Sequence, residues 1–298
     1  MTHQPPRIRL ACGDLLAEVA PKVGGSLARF EARGLEVMRG AVDARSGDVL
    51  EMACYPLIPF SGRIAEGRFV FEGREVRLAA DPVSHPHALH GLGWRRGWDV
   101  AEVSATHAVL ALTHEGSTDD DGVWPWAFAA RETFTLDEAA LTIALEIENR
   151  AEGAMPAGLG LHPFFSGRTI ARLTGDLPFI WESTLERIPI RIAQVQATRK
   201  FTRGRRVAPL TLDHCFSGSD GPLDIEWDDQ PLKLRIERRG AAHTIIYTPQ
   251  EHDFFCVEPS SHAPDAVNRR EGAEITGLRV LKPGETMRME CRFEVRED

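Results

Sequence analysis

The sequence predicts an all-β protein built as one large antiparallel β-sandwich. Three observations carry this reading. Leu141, Ile143, Leu145 and Ile147 alternate with Thr142, Glu146 and Glu148, the period-two pattern of a strand with one buried side. Met287, Met289, Cys291, Phe293 and Val295 alternate in the same way with Arg288, Glu290, Arg292 and Glu294. Tight-turn pairs such as Gly13-Asp14, Glu72-Gly73 and Pro283-Gly284 separate short apolar runs, and no long amphipathic helix pattern interrupts them.

Taken in order, Ile8–Cys12 and Leu15–Val19 flank the first turn as a hairpin, and Gly24-Gly25 precedes a strand over Ser26–Arg33. Gly34 leads into Leu35–Met38, and Phe69–Phe71 and Arg74–Leu78 flank the second turn. Strands follow over Val100–Val103, Val109–Thr113, Ala129–Leu136 and Leu141–Glu148, then Leu232–Glu237, Thr244–Tyr247 and the alternating C-terminal run. Short helices are expected near Leu185–Thr198 and Ala263–Arg270. No Pro/Ser-rich linker and no repeat of fixed period divides the chain, so residues 1–298 read as a single domain.

A hydrophobic fraction of 43% supplies a packed core, and 27% charged residues argue against disorder. The formal charge of −9 argues against a nucleic-acid or anionic-membrane partner, since both need a basic face. The basic run Arg199–Arg206 is the local exception, read as a solvated loop or a phosphate contact. Cys12, Cys54, Cys215, Cys256 and Cys291 are odd in number and scattered, which suits reduced thiols in a cytoplasmic protein. No signal peptide and no apolar run near the ~20 residues of a membrane span is expected.

Three turn-rich segments concentrate reactive side chains. His85–Trp98 (HPHALHGLGWRRGW) contains His90 and Trp94; His162 lies in LHPFF; Glu258 follows the apolar run Phe254-Phe255-Cys256. Histidine exchanges protons near neutrality, burial makes a carboxylate a stronger base, and tryptophan offers a flat face to a sugar ring. Each residue alone is equally compatible with ordinary packing. The spacing His85-x-His87-x-x-His90 resembles a metal-ligand set, but Pro86 and the lack of a nearby carboxylate leave it loose, and no metal is expected. Phosphate-loop, dinucleotide-loop and nucleophile-elbow motifs are absent, so nucleotide-dependent chemistry has no support.

Together these segments identify a family. From about Gly24 to Val295 the chain resembles the aldose 1-epimerase (galactose mutarotase) family, in its bacterial form. The matching pieces come in the family's order: SGRIAEGRFVFEGREVRL from Ser61, HALHGLGWRRGWDV from His87, NRAEGAMPAGLGLHPFF from Asn149, LDHCF from Leu212, FFCVEPSSHAPDAVN from Phe254 and LKPGETMRM from Leu281. The resemblance implies a galactose-mutarotase-like supersandwich, a monomer or homodimer, that interconverts the α and β anomers of a free aldose such as galactose or glucose without a cofactor. It implies Glu258 as general base, His162 as the acid that protonates the ring oxygen, and His90 as its helper. Arg63 and Asp213 would bind sugar hydroxyls, with Trp94 or Phe164 as an apolar wall. Base and acid are expected to titrate near working pH. One departure stands out: Gly62 occupies the place of the family's usual asparagine before Arg-Ile. Two further readings stay open. One is anomerisation of a hexose 6-phosphate, with Arg95, Arg96 or the Arg199–Arg206 run at the pocket mouth; the other is a non-catalytic carbohydrate-binding module.

Overall fold

The computed structural model describes residues 6–41, 46–117 and 122–297. Two large antiparallel sheets dominate it. The first has nine strands and runs from Asp99–Val103 at one edge through His107–His114, Phe128–Leu136, Ala140–Asn149, Thr286–Glu297 and Leu232–Arg239 to Leu223–Trp227, Ala171–Gly175 and Arg205–Arg206. The two alternating segments pair directly in its centre, Leu141 opposite Phe293, Ile143 opposite Cys291 and Leu145 opposite Met289. All six side chains are buried, as the period of two requires when one face meets a core.

The second sheet has eight strands, with Phe254–Ser260 between His243–Tyr247 on one side and the short strands Gly160–Leu161 and Phe164–Ser166 on the other. Its inner face joins the first sheet in one apolar cluster, where Phe255 and Val257 share a core with Ile143 and Leu145. A separate four-stranded sheet, Ile8–Cys12 to Leu35–Met38, forms the N-terminal hairpins. All five cysteines are free. Among the described residues no helix is long and apolar enough to cross a membrane.

Both expected helices are corrected. Leu185–Thr198 holds an edge strand, Pro189–Gln194, followed by a single 3-10 turn, and Ala263–Arg270 holds only the turn Ala266–Asn268. An edge strand is wet on more than one side, so Ile190 stays exposed and the alternation that would have marked it is lost. Asp99–Val103 forms the opposite kind of edge, a strand with every residue exposed.

One core position breaks the pattern. Glu132 lies on the buried face of its strand between Ala130 and Phe134, and no hydrogen bond reaches its Oε2. Burial pushes its carboxyl well above the usual range. A raised folded-state pKa means stability is fully present below the unfolded value and is lost as pH rises toward the folded one. Glu132→Gln cannot ionise. It is expected to match the parent near pH 4 and exceed it by about 1–3 kcal/mol above neutrality, read by denaturant unfolding across pH; equal slopes for the two proteins would show that Glu132 does not titrate in the fold.

Candidate active site

The outer face of the eight-stranded sheet lines a cavity of about 680 Å³. The strand Phe254–Ser260 turns Phe255 and Val257 into the core, so period two sends Phe254, Cys256 and Glu258 the other way. Glu258 reaches the cavity while only 3% exposed. His162 meets it from the neighbouring segment, Nε2 at 3.4 Å from Glu258 Oε1. The His162 backbone N–H donates to the Tyr55 carbonyl, and its ring packs on Tyr55 and Phe164 at centroid distances of 4.7 and 4.6 Å. The ring plane is thus fixed by two aromatic neighbours.

His90 enters from the glycine-containing loop with φ +59°, and Gly91 follows at φ +69°. A Cβ on Gly91 would stand 2.2 Å from the Ile58 carbonyl oxygen, so only glycine allows this approach. The Gly62 N–H donates to His90 Nδ1 at 3.0 Å, and His90 returns its own N–H to the Gly62 carbonyl. Since Nδ1 accepts, the proton of the neutral ring sits on Nε2. The same contacts account for the departure at Gly62: its φ is +74°, and a Cβ there would meet Pro264 Cβ at 2.9 Å. Asparagine has no room in this arrangement.

Arg63, Asp213 and Trp94 also line the cavity. Asp213 lies between two guanidinium groups, 3.1 Å from Arg187 Nε and 3.8 Å from Arg63 Nη2, while Arg63 Nε donates to Ser84 Oγ. Trp94 is 1% exposed, so it offers a cavity little of its face; it stacks behind Tyr55 at 5.4 Å, and the Arg95 guanidinium lies over its ring, 3.9 Å from the centroid. All six residues singled out in the sequence therefore converge on one cavity. The other two histidines of the His85-x-His87-x-x-His90 spacing do not: His85 is exposed, and His87 Nδ1 accepts from the Glu66 amide.

Tyr55, Arg39 and Arg187 were missed. The chain has only two tyrosines, Tyr55 and Tyr247, and both line the cavity. That coincidence was the one signal available. Arg39 sits over the Phe164 and Phe254 rings at 4.1 and 4.6 Å, and its Nη2 donates to the Leu50 carbonyl. Neither basic group proposed for a phosphate reaches the cavity: Arg95 is bound to Asp81, and Arg199 and Arg205 line a different one.

Burial sets the electrostatics. It raises Glu258 well above the usual carboxylate range; Asp213 adds to the shift and Arg63 opposes it. It pushes His162 down to about 3, aided by the charge of Arg39, and lowers His90 through the same cause plus His162, Arg63 and Arg95. The expectation of a histidine titrating near working pH is therefore corrected, because burial disfavours the charged ring and the charge of Arg39 adds to it.

The family profile for aldose 1-epimerase matches residues 6–294. The chain belongs to the aldose 1-epimerase family. It is 26% identical over 295 residues to the uncharacterized protein YphB of Escherichia coli (strain K12), covering 96% of this chain and 97% of that one. A candidate aldose 1-epimerase from Escherichia coli K12, solved as a crystal structure, superimposes with TM-score 0.88 at 26% identity over 98% of this chain and 99% of its own. A galactose mutarotase-like protein from Clostridium acetobutylicum shares the fold at TM-score 0.87 and 17% identity, over 98% and 95% of the two chains.

Restoring the family's asparagine provides a check on the site. Gly62→Asn is expected to cost about 1–3 kcal/mol, because it displaces Pro264 and the amide that fixes His90. Thermal unfolding tests this; an unchanged melting temperature would contradict it.

Proposed function

We propose that the protein is an aldose 1-epimerase that interconverts the α and β anomers of a free aldose. The observation that carries the reading is the contact between Glu258 and His162, 3.4 Å apart in a buried cavity, with the carboxyl raised and the imidazole lowered. Arg63, Asp213 and Arg187 offer donors and an acceptor for sugar hydroxyls, and Tyr55, Phe164 and Trp94 form the apolar side. The reaction so drawn needs no cofactor.

Ring opening removes a proton from the C1 hydroxyl and delivers one to the ring oxygen; closure on the other face of the aldehyde reverses both. The two groups share one proton. In the resting site the raised carboxyl and the lowered imidazole favour Glu258 as its holder. The productive arrangement has the same proton on His162, so that Glu258 is the base and His162 the acid. Ionised Glu258 next to the ring is the charge that makes protonated His162 accessible. His90, held as the Nε2–H tautomer, donates toward the same oxygen without titrating.

The family's alternative of a hexose 6-phosphate has less support. Arg95, Arg96 and the Arg199–Arg206 run do not line this cavity. A purely binding role leaves the buried Glu258–His162 contact without a purpose.

The test is anomer exchange by NMR on a panel of free aldoses and, separately, glucose 6-phosphate. Wild type is expected to accelerate exchange of a free aldose, and Glu258→Gln to lose about 10²–10⁴-fold. No acceleration on any sugar, despite binding, would replace the enzyme with a binding module. The pH profile checks the shared proton. As pH falls toward 3 the pair gains a second proton and loses its base; as pH rises through the raised Glu258 value it loses its acid. A bell spanning those limits is expected, whereas an acid limb at the ordinary histidine value of ~6.5 would break the assignment.

A further inference from the structure

Beneath the cavity, in the apolar cluster with Tyr55, Trp94 and Phe164, lies a third group that the proton chemistry leaves unused. Cys256 stands two residues before Glu258 on the same face of the strand and is fully buried. Its Sγ, a ring nitrogen of His162 and a carboxylate oxygen of Glu258 all lie within 4.8 Å of one another. Nδ1 of His162 is buried without a hydrogen-bond partner, and apart from His162 no protein group is found bonded to the Glu258 carboxylate among the described residues. Three potential ligands therefore lie close together, and the fold leaves one nitrogen of the imidazole without a partner.

Thiolate, imidazole and carboxylate are the protein ligands of zinc, and three of them with an open fourth position is the arrangement of an accessible zinc site. Two ligands ~2.0–2.1 Å from a tetrahedral ion stand about 3.4 Å apart. The separation of His162 Nε2 and Glu258 Oε1 is 3.4 Å. Cys256 Sγ lies within 4.8 Å of both other ligand atoms, and rotation about its single side-chain torsion is the adjustment that brings it to the ion.

We propose that Cys256, His162 and Glu258 bind a thiophilic divalent cation, zinc foremost, and that its binding switches the site off. The Cys256 thiol releases its proton to solvent as the metal–sulfur bond forms, and the proton shared by Glu258 and His162 leaves with it. The metal then occupies the base and the acid together. Hard cations such as magnesium prefer oxygen ligands and do not fit. The switching half of the proposal rests on the epimerase reading; the binding half does not.

Cobalt(II) reports thiolate ligation directly. One equivalent added to the purified full-length protein is expected to give a tetrahedral spectrum with a thiolate-to-metal charge-transfer band that zinc displaces. Cys256→Ser should lack the band, with Cys256→Ala in its place if the serine protein does not fold. In anomer exchange, zinc should inhibit wild type and EDTA should restore it. The metal-free Cys256→Ser protein should keep its exchange and need about tenfold more zinc or higher for the same inhibition. Absence of the band, equal zinc sensitivity of the two proteins, or equal inhibition by magnesium would overturn the proposal. A cobalt band from a protein that, when free of metal, exchanges no sugar would support the metal site and count against the epimerase.

Discussion

The strand Phe254–Ser260 serves two environments with one backbone. Its even and odd residues are separated by the pleat, so whatever packs Phe255 and Val257 into the core also sets the direction of Glu258. The carboxylate needs no loop to aim it. Its position is as rigid as the core behind it, and its neighbours on both flanks are strands: Ile245 lies opposite on one side, and Phe164–Ser166 pairs along the other. A slip of one residue in register would exchange Glu258 with Val257 and lose site and core together.

That rigidity is what makes the electrostatics possible. A mobile carboxylate would find water and return to an ordinary pKa. Held at 3% exposure beside Tyr55, Phe164 and a lowered imidazole, Glu258 stays a stronger base than an exposed glutamate. The aromatic packing on His162 acts in the same direction from the other partner, since it excludes the water that would stabilise an imidazolium. The two opposite shifts have one cause.

Much of this was legible in the sequence, for a specific reason. Central strands carry alternation because both their neighbours and one face are dry, and Leu141–Glu148 and Met287–Val295 showed it. Pro189–Gln194 and Asp99–Val103 lie at sheet edges, where exposure dilutes the pattern, and one of them was mistaken for a helix. Glu258, His162 and His90 were legible because each sits in an unusual local context. Arg39, Arg187 and Tyr55 sit in ordinary ones, and only the folded chain brings them to the cavity. The lowered pKa of His162 was likewise out of reach, because it depends on Arg39 and on burial that no local spacing reveals.

Binding and proton chemistry in this cavity draw on the same charges. Asp213 raises Glu258 while Arg63 lowers it, and the same two residues, 3.8 Å apart, line the cavity to which the proposed function assigns sugar hydroxyls. Arg187 shares Asp213 with Arg63, its Nε 3.1 Å from the carboxylate. A change at Asp213 or Arg63 alters the strength of the base. The aromatic side is no freer, since Arg39 lies over Phe164 and Phe254 and Arg95 over Trp94, and Gly62 admits no Cβ beside Pro264, so neither wall changes independently of the packing and the charges around it.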